Sequence, residues 1–325
     1  MRLRSFCLSG ALVLAACAPS AADAPIAEQW RSVEVTVAPI DFGTEHVGRL
    51  RFRGGVEIRS DDPVFGGISG IEVLDGTRVI AVSDNGDWFE WRLVLDEEGV
   101  LTGVGAVRTA FMRNEDGEPF PSKASGDAED VAQLPDGRFA VSFEQTQSIR
   151  IYDLNRDGPF GAAAPGPVLD GVARLPGNNG LEALAASEDG ALIVGAEGGG
   201  EATTPLWRAR LDAPAPARAN ARYPLSGGFS LTALDRLPDG GYVALERFYA
   251  PVIGARARIT RVASLGEGEV EAEELALIES PRPVDNFEAI AAVSTPDGAV
   301  RVYIVSDDNF NRRQRTLLLA FDILN

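Results

Sequence analysis

Histidine, lysine and cysteine are almost missing from this chain, which has one histidine (His46), one lysine (Lys123) and two cysteines (Cys7 and Cys17) in 325 residues. A single histidine removes most histidine-based zinc sites and leaves little room for a Ser-His-Asp triad; His46 reads as a loop residue. Both cysteines fall within the first seventeen residues, so the body of the chain has no disulfide and must be stabilised by packing. No apolar run after Ala16 is long enough to cross a bilayer, and one soluble, monomeric body is expected. Positive charge is also scarce: 30 Lys and Arg against 48 Asp and Glu give a net charge of -18. Nucleic acid and bare anionic lipid are poor partners for such a chain, and cations are natural ones.

At the N-terminus, Arg2 and Arg4 precede an apolar run from Phe6 to Ala16, the length of a signal-peptide core. It closes on Leu14-Ala-Ala-Cys17, which resembles the bacterial lipobox, where cleavage falls before the cysteine and its thiol is acylated. Residues 1–16 are therefore expected to be a lipoprotein signal, Cys17 the lipidated residue, and 17–29 an Ala/Pro-rich tether. Loss of Arg2 and Arg4 takes the net charge from -18 to -20. The expected location is the cell envelope, on the periplasmic face of the outer membrane given Ala18 after the cysteine, with membrane contact through the anchor only.

One pattern then recurs: a β-type alternation, an Asp-Gly turn and a second alternation. The five copies centre on Asp75-Gly76, Asp136-Gly137, Asp189-Gly190, Asp239-Gly240 and Asp297-Gly298, with the aspartates 61, 53, 50 and 58 residues apart. Each copy predicts an antiparallel hairpin on a two-residue turn with positive φ at both positions, usually followed by a third strand. Repeats of this length predict an all-β fold, a single β-propeller of five or six blades built from four-stranded antiparallel sheets. The strands between Val47 and Arg59 have no upstream partner and are expected to supply the outer strand of the last blade. A β-sandwich is the alternative.

In such hairpins the start of the first strand and the end of the second lie together. Ser69, Glu129, Glu182, Thr232 and Glu288 stand at the first position, and Asp84, Glu144, Glu197, Glu246 and Asp307 at the second. Eight of these ten are carboxylates, which predicts an acidic mouth to the central channel. Like charges so crowded raise one another's pKa unless a cation joins them, and oxygen donors without His or Cys suit a hard ion, Ca2+ above Mg2+. The plain alternative is that the acids only cap strand ends. Arg247, Arg312, Arg313 and Arg315 stand nearby, either to bind an anion or to neutralise carboxylates. Asp153, Asn155, Asp157 and Gly158 match half of an EF-hand loop, but Ala164 takes the place of its bidentate glutamate, and a turn is the simpler reading. Trp88 and Trp91 read as either ligand-gripping loop residues or one buried strand face.

Several stretches resemble the phytase-like propeller family described as esterase-like: Gly67-Ile-Ser-Gly-Ile71, Ala81-Val-Ser-Asp-Asn85, Asp127-Ala-Glu-Asp130, Gly180-Leu-Glu-Ala183, Leu245-Glu-Arg-Phe248, Asn286-Phe-Glu-Ala289, Val305-Ser-Asp-Asp-Asn-Phe310 and Gln314-Arg-Thr316. The resemblance runs from about Gly66 to the C-terminus and implies that the domain is residues 30–325. By motif it implies functional roles for Ser69, Asp84, Glu129, Glu182, Glu246, Glu288, Asp307 and Asp308. The chain departs from the family at Asn85-Gly86, where arginine commonly follows the aspartate.

Metal ligands are accordingly expected at Asp84, Glu129, Glu144, Glu182, Glu197, Glu246, Glu288, Asp307 and Asp308. Glu182 or Glu288 is the expected base, Arg247 and Arg313 are expected to stabilise charge on a phosphoryl group, and Ser69, Arg247, Arg313 and Arg315 to bind substrate. The expected activity is calcium-dependent hydrolysis of a small phosphate ester. A lactonase or carboxyl esterase is the rival enzyme class, and a non-catalytic binding module the third reading.

Overall fold

A computed structural model describes residues 30–175, 179–198 and 200–324. The signal, Cys17 and the tether lie outside the described residues. No described helix is long and apolar enough to cross a membrane.

The fold is all-β, and 20 of the 24 strands among the described residues form five antiparallel runs of four. The first is Ile68–Leu74, Arg78–Ser83, Asp87–Leu95 and Leu101–Phe111; the second Ala128–Gln133, Phe139–Phe143, Ser148–Tyr152 and Ala164–Pro165. The third is Leu181–Ala186, Leu192–Ala196, Thr203–Ala209 and Ala219–Pro224; the fourth Ser230–Arg236, Tyr242–Ala250, Gly254–Val262 and Ala272–Glu279. The fifth joins Phe287–Ser294, Val300–Ser306 and Thr316–Ile323 to Leu50–Arg59 from the other end of the chain, which pairs antiparallel with Thr316–Ile323. The first and fifth runs touch through one parallel bridge, Gly54 to Leu101. A Cβ at Gly54 would lie 2.2 Å from the Leu101 carbonyl oxygen, so the bridge requires glycine.

Each hairpin turn carries Asp-Gly, but only the first has the expected positive φ at both Asp75 and Gly76. In the others only the glycine of the Asp-Gly pair has positive φ, and the turn closes one residue earlier, on the glycine itself: Gly137 N donates to Leu134 O, Gly190 N to Ser187 O, Gly240 N to Leu237 O, and Gly298 N to Thr295 O, where Thr77 N, after the glycine, donates to Leu74 O in the first. Proline precedes three of these four aspartates, at Pro135, Pro238 and Pro296. Proline's fixed φ favours the second position of a type I turn and glycine its fourth, so the local sequence x-Pro-Asp-Gly starts the turn one residue before the place that Asp-Gly alone suggests.

Packing explains why the central strands read as unbroken apolar runs. Five clusters of buried side chains lie among the described residues, each shared by two neighbouring runs. Ile80, Val82 and Trp88 meet Val131, Val141 and Phe143; Ile149 and Ile151 meet Leu184 and Val194; Ile193 and Tyr223 meet Leu231 and Leu234. Leu245 and Ile259 meet Ile290 and Ile304, and Tyr303 and Leu318 meet Ile71 and Phe89. Sheets covered on both faces lose the in-out alternation of a surface sheet. Trp88 and Trp91 are both buried on the strand Asp87–Leu95, in the clusters on its two sides, and grip nothing in a loop.

Each run is also hydrogen-bonded to the next. Ser69 Oγ donates to Ala128 O (2.6 Å), Leu184 N to Asp130 Oδ2 (2.8 Å), Leu231 N to Glu197 O (3.0 Å) and Ala292 N to Asp235 Oδ2 (2.6 Å). Gly67 N donates to Asp308 Oδ1 (3.1 Å), linking the fifth run back to the first. Gly70 is pressed so closely on the second run that a Cβ there would lie 2.6 Å from Asp130 Cα.

Candidate functional site

The acidic positions meet at one end of the inner strands because of a shared irregularity. In every run the pairing of the first two strands slips by one residue near its start, leaving Ser69, Glu182, Thr232 and Glu288 without a direct partner and placing Glu129 and Asp130 opposite Ser142. An extra residue in one strand re-aims its side chain, and here it does so five times. The second strands end alongside: Asp84 N donates to Gly67 O, Glu144 N to Asp127 O, Glu197 N to Gly180 O and Asp307 N to Asn286 O.

The fourth run corrects the sequence reading. Leu231 pairs with Glu246 and Ser230 with Arg247, whereas Ile68 pairs with Ser83, Ala128 with Phe143, Leu181 with Ala196 and Phe287 with Ser306. The residue equivalent to Asp84, Glu144, Glu197 and Asp307 is therefore Arg247, not Glu246. Side chains alternate along a strand, so an error of one residue exchanges the two faces. Glu246 turns away and is 1% exposed: its carboxylate accepts from Tyr223 OH (2.7 Å) and from Arg258 Nε (3.1 Å) and Nη2. A constant offset of eight from the turn aspartate, which selects Glu144, Glu197 and Arg247, was the available sequence signal.

One carboxylate oxygen each from Asp127, Glu129 and Glu144 lie within 4.8 Å of one another, and the same holds for Glu144, Glu182 and Glu197. Glu129 and Glu182 are buried, which pushes their pKa values well up, and neighbouring carboxylates add to the effect. Glu144, Glu197, Asp84 and Asp307 are also raised, first by burial. Two cations answer this charge. Arg247 bonds Glu197 (Nη2 to Oε1, 2.9 Å) and Glu288 (Nη1 to Oε1, 2.8 Å), with Asn286 donating to the same Glu288 oxygen (2.8 Å). Lys123 bonds Asp84 and Asp127.

The remaining positions stand apart from this cluster. The buried Ser69 hydroxyl is taken up by Ala128 O. Asp308 is a brace, accepting from Gly67 N, Phe310 N and Thr316 Oγ1. Arg315 bonds Asp285 Oδ2 and Val284 O, while Arg312 and Arg313 are exposed on the following-strand loop. Asp153 caps the one-turn helix Leu154–Asp157, and Asp157 pairs with Arg156. His46 is exposed on the two-residue strand His46–Val47. Asp127, Lys123 and Asn286 are the site residues that the sequence reading passed over. At the opposite, turn end, a cavity of about 350 Å³ is lined by Glu72, Gln133, Asp235 and Arg236 among others.

The donor set fits a hard cation: it consists of oxygens alone, and their charges repel. An all-β chain of repeated four-stranded sheets with a convergent carboxylate cluster is thus defined. The chain belongs to the Phytase-like family, described as "Esterase-like activity of phytase", which it matches over residues 63–310. No curated protein matches it. Among solved structures it is similar to the PQQ-bound aldose sugar dehydrogenase of Streptomyces coelicolor (13% identity, 89% of this chain and 99% of that one, TM-score 0.42). It is also similar to a putative gluconolactonase (14%, 89% and 93%, TM-score 0.42) and to the Cps50 (Swd1) β-propeller domain of Myceliophteria thermophila (10%, 89% and 99%, TM-score 0.39).

Proposed function

We propose that this chain is a five-bladed β-propeller that hydrolyses esters, phosphoric esters first, with a Ca2+ ion held at its acidic mouth. The observation that carries the reading is that Glu144 shares space with Glu182 and Glu197 on one side and with Asp127 and Glu129 on the other, with no cation of the chain bonded to Glu129, Glu144 or Glu182 among the described residues. Glu144, Glu182 and Glu197 would hold the ion, with Glu129 beside them on the Asp127 side. When bound, such an ion polarises an ester oxygen and lowers the pKa of a water.

The protein's own groups supply the rest. Arg247 faces the cluster with a planar fork suited to two oxygens of a phosphoryl group. Glu182, whose carboxyl is pushed up by burial and by Glu197 and Glu288, is the first candidate for the base, and Glu288 is the alternative. One observation favours a carboxyl ester or lactone as the second reading: Arg247 is already bonded on both sides, leaving few donors for a doubly charged phosphate.

The test is hydrolysis of an aryl phosphate and an aryl acetate in Ca2+ and in excess EDTA, with melting followed in parallel. Calcium-dependent phosphate release, lost in Glu182→Gln without a large fall in Tm, is expected. Turnover of the acetate alone would favour the second reading. No turnover of either, with calcium still raising the Tm, would leave a binding module. The lipidated Cys17, the envelope location and the monomeric state are part of the same proposal, supported by the Leu14–Cys17 motif and the soluble composition.

A further inference from the structure

The chain's one lysine is placed with unusual care. Lys123 opens the one-turn helix Lys123–Gly126 in the segment between the first and second runs. That turn is clamped by Ser122 and Ser125, whose side chains and backbones bond reciprocally. Beneath it Phe120 packs on Phe143 (5.4 Å between ring centres) and so closely on Gly126 that a Cβ there would lie 2.9 Å from its ring.

From this seat the ammonium donates to Asp84 Oδ2 (2.7 Å), Asp127 Oδ1 (2.9 Å) and the backbone oxygen Asp84 O (3.0 Å). The fourth nearby oxygen, Asp84 Oδ1, is buried and unpartnered. Two carboxylates and a backbone carbonyl are the donors that calcium takes from proteins. Two carboxylates and one ammonium leave a net charge of -1, which a divalent ion in the ammonium's place would bring to zero. Arginine, abundant elsewhere in the chain, has a planar fork that suits this compact nest less well than a point charge with three donors.

We infer that Lys123 is a tethered counter-ion occupying a second cation seat formed by Asp84 and Asp127, which keeps that half of the mouth free of metal. The inference rests on the calcium reading of the mouth for its biological meaning, but its test is separate. Metal-stripped protein is titrated calorimetrically with CaCl2, comparing the natural chain with Lys123→Met and with the double variant Lys123→Met/Asp127→Asn.

The expected result is one additional bound ion in Lys123→Met, and loss of that additional ion in the double variant. An unchanged stoichiometry in Lys123→Met, or an extra ion that persists in the double variant, would overturn it. Calcium binding by the natural chain with no gain in Lys123→Met sinks the inference alone. Binding only in Lys123→Met supports it and sinks the calcium reading of the natural mouth. Should Lys123→Met fail to fold, as judged by its melting curve, Lys123→Gln removes the charge while keeping a polar group and takes the same measurement.

Discussion

The assignment of Arg247 rather than Glu246 to the mouth makes Glu246→Gln a sharp test, because the substitution keeps shape and removes one charge. Glu246 and Arg258 form a buried pair, with side chains 1% and 13% exposed. Removing one partner of such a pair costs about 3–5 kcal/mol, since the other charge stays behind uncompensated. Arg258 keeps bonds to Ser226 Oγ (3.0 Å) and Ser226 O (3.3 Å), and glutamine can still accept from Tyr223, which places the cost near the lower end, about 3 kcal/mol. With an unfolding entropy of about 2 cal/mol/K per residue, a body of roughly 300 residues loses about 5 °C in Tm. The assay is thermal unfolding in EDTA and in saturating CaCl2. The Tm should fall by a similar amount in both, with the calcium-induced shift preserved, because the carboxylate faces Tyr223 and Arg258 and not the cluster. An unchanged Tm in EDTA together with loss of the calcium shift would make Glu246 a mouth ligand and refute the register argument.

Two further outcomes follow from the same structure. Asp87 is 4% exposed, with Oδ1 unpartnered, and burial raises its pKa from 3.8 to about 7 against the opposing pull of Ser83 and Arg31. The folded state therefore holds this proton more tightly than the unfolded chain, and stability is lost as pH rises between about 4 and 7. Asp87→Asn escapes that loss, so its Tm advantage over the natural chain should grow from pH 5 to pH 8 by roughly 4 °C, from about 2–3 kcal/mol of linkage; an advantage that is flat with pH counts against it. At the N-terminus, Cys17→Ser should move the protein from the membrane to the soluble fraction of cells, and persistence in the membrane would exclude the lipid anchor.

Much of the fold was legible because hairpins are local objects. The five Asp-Gly turns, the β-type alternations around them and the unpartnered Val47–Arg59 strands each announce themselves over a dozen residues, and the last found its place beside Thr316–Ile323. The turn geometry was misread in four of the five, three of which carry a proline before the aspartate that the reading left out. Trp88 and Trp91 could not be placed from spacing, since burying both faces of a strand depends on neighbours far away in sequence.

The candidate site divides along the same line. The types of residue at the strand ends, and hence an oxygen-rich, histidine-free chemistry, were determined by the sequence itself, because composition and turn spacing need no knowledge of what packs where. Which side chains share space was decided only by tertiary structure. A one-residue slip in five separate pairings aims Glu129, Glu182 and Glu288 at the mouth; register puts Arg247 there and takes Glu246 away. The bonds from Lys123 to Asp84, 39 residues distant, and from Arg247 to Glu197, 50 residues distant, exist because separate sheets are packed side by side, which no local pattern encodes.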